Sequence, residues 1–145
     1  MSADPAAAPS GVVTFVFTDI EGSTRRWEAD ANAMRAALLV HDQVLRTAIE
    51  THGGYLFSHT GDGVVAAFAS PKSAVDAAVA AQRVLELPVR MGLATGEAEL
   101  RNGDYFGTVL NRAAESRAIE AWQDGPAVDV VGLVIVEHDV TRLFR

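Results

Sequence analysis

Apolar and polar positions alternate along the chain in a readable order of strands and helices. Val12 to Thr18 reads VVTFVFT, the β-branched and aromatic composition of a buried strand. It breaks into Asp19-Ile20-Glu21-Gly22-Ser23-Thr24. A three- and four-residue rhythm then predicts a helix over Ala31 to Thr51. Met34, Leu38, His41, Leu45, Ala48 and Ile49 form its apolar stripe, and Arg35, Asp42, Gln43, Arg46 and Glu50 its wet face. His52-Gly53-Gly54 stops it. Tyr55 to Thr60 and Val64 to Ala69 flank Gly61-Asp62-Gly63, a β-hairpin signal. Ser70-Pro71 opens a second helix over Lys72 to Leu87. Its inward stripe is small: Ala74, Ala77, Ala78, Ala81, Val84 and Leu85. Pro88 ends it, and Val89 to Ala94 reads as a strand. Arg101-Asn102-Gly103-Asp104 reads as a turn, and Tyr105 to Trp122 contains a helix with Val109, Ala113 and Ile119 inward. Gln123 to Pro126 breaks the chain before a last strand in Val128 to Val136.

Strand, helix, hairpin, helix, strand, helix, strand points to an α+β or α/β sandwich with a mixed sheet. At 145 residues the chain is long enough to bury one core. Residues 1–11 read as a flexible lead-in and 12–145 as a single domain. The start lacks a basic segment followed by an apolar run, and Val130 to Val136 is too short to span a bilayer, so no membrane association is expected. Cysteine is absent, which excludes thiolate chemistry and fits a reducing, cytoplasmic setting. A net charge of −7 argues against nucleic acid as a partner. The basic residues are eleven Arg and one Lys, Lys72.

Two carboxylates change this picture. Asp19 ends an apolar strand just before a Gly-Ser-Thr turn, at the rim of a sheet, where ligands reach a fold without disturbing its core. Free backbone amides after it, over Glu21 to Thr24, would suit phosphate. Asp62 stands at a hairpin tip. Taken singly, each has a plainer meaning, a helix cap for Asp19 and a turn former for Asp62.

Taken together, FTDIEGST (Phe17 to Thr24), HTGDGVVAAF (His59 to Phe68), VRMGLATGEA (Val89 to Ala98) and GDYFGTVLNRAA (Gly103 to Ala114) resemble the class III nucleotide cyclase catalytic domains, particularly actinobacterial adenylyl cyclases. The resemblance covers Val12 to Ala114. It implies a ferredoxin-like βαββαβ sandwich and cyclisation of ATP to cyclic AMP and pyrophosphate. It also implies two Mg²⁺ or Mn²⁺ ions on Asp19, Asp62 and the Ile20 carbonyl, with amides of Glu21, Gly22, Ser23 and Thr24 on the triphosphate. Family members are homodimers. By the resemblance, a partner chain supplies Asp104 to read the adenine amino group and Asn111 to orient the ribose.

Three positions depart from that pattern. Ser58 stands where the family has its purine-reading lysine. Glu115 stands at the transition-state arginine, one helical turn after Asn111, and neither Arg112 nor Arg117 shares that face. The late triphosphate lysine has no counterpart, since Lys72 lies in mid-chain. From about residue 115 the chain diverges from the family and has the look of a truncated domain. Three readings stay open: an adenylyl cyclase of low activity; a degenerate cyclase-like module that binds nucleotide, metal or a protein partner without turnover; and a plain structural domain in which both aspartates serve as caps and turns, which leaves the joint motifs unexplained.

Overall fold

The computed structural model describes residues 8–59, 63–106 and 134–136. Its elements are β1 (Gly11–Ile20), α1 (Ser23–Ala29), α2 (Ala31–Thr51), β2 (Tyr55–His59), β3 (Val64–Phe68), α3 (Pro71–Gln82), β4 (Val89–Arg101), β5 (Asp104–Phe106) and β6 (Val134–Val136). The sheet runs β2-β3-β1-β4-β5, with β6 also paired to β4. This is the α+β βαββαβ arrangement expected, with one correction. Every described ladder is antiparallel, not mixed. The crossover from β1 through α2 does deliver β2 parallel to β1, but β3 inserts between them.

The helix over Ala31 to Thr51 forms with the expected bounds. Asp30 accepts a hydrogen bond from the Ala33 amide at 3.0 Å, a cap of the kind that contributes about 1 kcal/mol. Met34, His41, Leu45, Ala48 and Ile49 are buried as the rhythm requires. The second helix stops at Gln82, short of Leu87. Its alanines 74, 77, 78 and 81 are buried, but Val84 lies in the turn that follows and is 62% exposed, outside the predicted stripe.

The strand at Val89 extends to Arg101, well past Ala94, because the first half of β1 offers it a partner as far as Gly11, opposite Ala98. Asn102 (φ 52°) and Gly103 (φ 84°) then close a two-residue hairpin. Positive φ at both turn positions matches the right-handed twist of the flanking strands. Tyr105 and Phe106 therefore belong to β5 and not to a helix. The rest of that expected helix lies outside the described residues. Of the expected last strand, Val134–Val136 pairs with Leu93–Met91 of β4.

Strand alternation gives the sheet two different faces. Val16, Ile20, Val64, Ala66 and Met91 pack with α2 and α3. Val13, Phe15, Phe17, Ala94 and Tyr105 point the other way, into a cluster with Tyr55 and Phe57. Phe15 and Tyr105 meet edge to face at 5.2 Å, and the Tyr105 hydroxyl donates to the Pro9 carbonyl at 2.7 Å. Among the described residues no helix is long and apolar enough to cross a membrane.

Burial, with Tyr55 close by, pushes the Tyr105 phenol up from about 10 to about 12. Protonated tyrosine is thus favoured by folding, and the unfolded chain gives up the proton first as pH rises. This contribution to stability is complete below pH ~10 and disappears as pH rises through about 12. Urea denaturation of wild type and Tyr105→Phe across pH 8 to 12 checks it. The wild type should lose stability above pH 10 more steeply than the variant, and parallel curves would contradict the assignment.

Candidate functional site at the end of the central strand

β1 is flanked by β3 and β4, so its C-terminal end opens at the middle of the sheet rim. Asp19 is its penultimate residue. It shares a face with Phe15 and Phe17, away from α2 and α3, while its neighbour Ile20 is buried in the helix-side core. A strand that is apolar on both faces thus delivers one carboxylate, 33% exposed, to the rim. Directly across the ladder stands Arg90 of β4. Its Nε donates to Asp19 Oδ1 at 2.8 Å and its Nη2 to Oδ2 at 2.5 Å, a two-pronged ion pair.

The start of β3 is held against the same strand end. The Val64 amide donates to the buried Thr18 Oγ1 at 3.0 Å. At Gly63 the backbones come so close that a Cβ would sit 2.1 Å from the Thr18 carbonyl oxygen and 3.6 Å from the Asp19 α-carbon. Only glycine tolerates that approach. Asp62 lies outside the described residues, but the residue that follows it is packed against Thr18 and Asp19.

After β1 the chain turns through Gly22 (φ 67°) into the short helix α1. The Glu21 amide donates to the Pro88 carbonyl at 2.8 Å, so among the expected phosphate-facing amides this one is committed to tying the turn to β4. The Arg25 guanidinium lies over Gly22, its Nη2 3.2 Å from where a Cβ would stand. Glu21, Gly22, Arg25, Arg26 and Pro88 line an open cleft of about 370 Å³.

The other expected site residues distribute unevenly. Ser58 on β2 is opposite Val65, which is opposite Phe17, so it lies in a row of the Asp19 face but two strands away. Asp104 is exposed at the start of β5, paired with Arg101 at the far end of β4. The eleven-residue advance from Arg90 to Arg101 corresponds to roughly 36 Å of strand, so Asp104 does not join Asp19 of its own chain. Asn111 and Glu115 lie outside the described residues.

For a divalent cation, the donors at the rim are a carboxylate and the backbone carbonyl of Ile20. Their hard oxygens are of the kind that Mg²⁺ or Mn²⁺ takes. Among the described residues no three His, Cys, Asp or Glu side chains cluster as a metal site.

Sequence reasoning missed Arg90, Arg25 and Arg26. Arg90 left a signal, as the one charge in the apolar run VRMGLA, where an ionised side chain calls for a partner. That the partner is Asp19 depends on strand register, which no local pattern carries.

No family model matches the chain. An uncharacterized protein of Mycobacterium tuberculosis is 37% identical over 113 residues, covering 75% of this chain and 40% of that protein. The adenylate cyclase of Podospora anserina is 30% identical over 164 residues, covering 90% of this chain and 8% of that enzyme. The chain thus spans less than half the length of these curated relatives. Among solved structures, an adenylate cyclase from Trypanosoma brucei in its monomeric state superposes with a TM-score of 0.70 at 25% identity, over 77% of this chain and 70% of that one.

Gly63→Ala should destabilise the fold by about 2 kcal/mol, since the added methyl has to push β3 away from β1. Equilibrium denaturation measures this; an unchanged midpoint would mean that β3 does not press on Thr18 this closely.

Proposed function

We propose that this chain, which belongs to the class III nucleotide cyclase catalytic domains, binds a metal–nucleoside triphosphate at the β1 rim and converts ATP to cyclic AMP and pyrophosphate at a low rate. The supporting observation is the rim itself: a carboxylate on the central strand, the start of β3 pressed against it at Gly63, and an arginine-lined cleft beside them. In this reading Asp19, Asp62 and the Ile20 carbonyl hold two Mg²⁺ or Mn²⁺ ions. When bound, these supply activation of the ribose 3′-hydroxyl and neutralisation of phosphate charge. The turn Gly22-Ser23-Thr24, with Arg25 and Arg26, receives the triphosphate, and the two arginines supply positive charge in a chain whose only lysine, Lys72, is exposed and paired with Asp76.

The far placement of Asp104 supports a shared site. A second copy, related by a two-fold axis, would bring its own Asp104 and Asn111 to the rim, where a carboxylate accepts from the adenine amino group. The low rate follows from composition. Ser58 is too short to replace a lysine, and Glu115 in place of a positioned cation removes a donor of the kind worth ~10²–10³ in rate. Those same two substitutions favour a second reading, a module that binds metal and nucleotide without turnover.

Cyclic AMP formation from ATP and Mn²⁺ is the primary test. Asp19→Ala and Asp104→Ala should each abolish it, and mixing the two variants should restore about a quarter of wild-type activity, because half the dimers then carry one intact site of two. Failure of the mixture to recover would reject the shared site. Glu115→Arg should raise the wild-type rate at least about tenfold. Metal-dependent ATP binding with no cyclic AMP, before or after that substitution, would select the second reading.

A further inference from the structure

We propose that Arg90 takes the place of a divalent cation at Asp19 in the nucleotide-free chain, so that cation binding is an exchange of ion pairs; this rests on the reading of Asp19 as a metal ligand. The two residues are register partners on β1 and β4, and the guanidinium engages both carboxylate oxygens. Two buried or backbone ties set the start of β4 and therefore the position of Arg90. The Gln82 side chain donates to the Val89 carbonyl at 2.7 Å, and the Glu21 amide donates to the Pro88 carbonyl at 2.8 Å. The pair is thus imposed by the sheet and not by the reach of a loose surface side chain.

Asp19 and Arg90 are 33% and 28% exposed, so the pair can exchange partners from solvent. A cation approaching Asp19 alone meets occupied oxygens and a like charge, and both oppose binding. A triphosphate changes the balance, because phosphate oxygens offer the guanidinium a replacement of the same forked geometry. Cation and nucleotide therefore favour each other's binding, and Arg90 carries part of that coupling in both directions.

Mn²⁺ titration followed by electron paramagnetic resonance of the free ion tests this without turnover. The proteins are wild type, Arg90→Met, Arg90→Lys and Asp19→Asn, each with and without a non-hydrolysable ATP analogue. Arg90→Met should bind Mn²⁺ alone about tenfold more tightly than wild type, and the analogue should then improve Mn²⁺ affinity by a smaller factor. Arg90→Lys, which keeps the charge and loses the fork, should fall between them and carries the comparison if the methionine variant does not fold. Equal or weaker Mn²⁺ affinity in the Arg90 variants, with binding still lost in Asp19→Asn, overturns the exchange and leaves the metal reading standing. Wild-type affinity in Asp19→Asn removes the metal reading and the exchange with it.

Discussion

The register of β1 against its two neighbours is the constraint on which the site and both cores depend. Ten consecutive residues of β1 pair with β4, and Thr14 to Phe17 pair with β3. Because side chains alternate along a strand, a slip of one residue would exchange the faces of the whole strand. Phe15 and Phe17 would turn towards the helices, Val16 and Ile20 away from them, and Asp19 would enter an apolar layer with no guanidinium beside it. The cost of burying an unpaired carboxylate and the loss of two packed clusters oppose that slip together. Hydrophobic packing and the chemistry at the rim therefore enforce the same alignment.

Short anchors convert this alignment into a defined site. Thr18 holds the first amide of β3, and Gly63 permits the backbones to close to a separation that no side chain would allow. The Glu21 amide and the Gln82 side chain donate to the carbonyls of Pro88 and Val89, where β4 begins. Each anchor bonds or packs within two residues of Asp19 or Arg90. The carboxylate and its counter-ion are consequently presented by rigid strands, while Gly22 supplies the one left-handed turn needed to start α1 beside them.

The electrostatics of the rim run against those of the chain. A net charge of −7 repels anions at long range, yet Arg25, Arg26 and Arg90 collect where β1 ends. Local positive charge and hard oxygen donors in one place suit a polyanion that carries its own cations. Asp104 lies at the opposite end of β4, away from the rim that Asp19 and Arg90 occupy.

Much of this was legible in local pattern. The 3.6-residue stripe determined α2 to its bounds, the Gly-Asp-Gly cluster marked the β2–β3 hairpin, and an apolar run ending in an acid located Asp19. Four motifs in order also carried the family. Local pattern fails where a partner decides the outcome. β4 continues to Arg101 because β1 lies beside it, and Tyr105 joins a strand because Asn102 and Gly103 fold back onto β4. Val84 leaves the core because α3 ends early. The Asp19–Arg90 pair, separated by 71 residues, and the backbone contact at Gly63 exist only through strand pairing. Sequence by itself determined the elements and the candidate residues, since composition and period are local properties. Tertiary structure alone decided which of them meet, because register is set by the sum of contacts across the whole sheet.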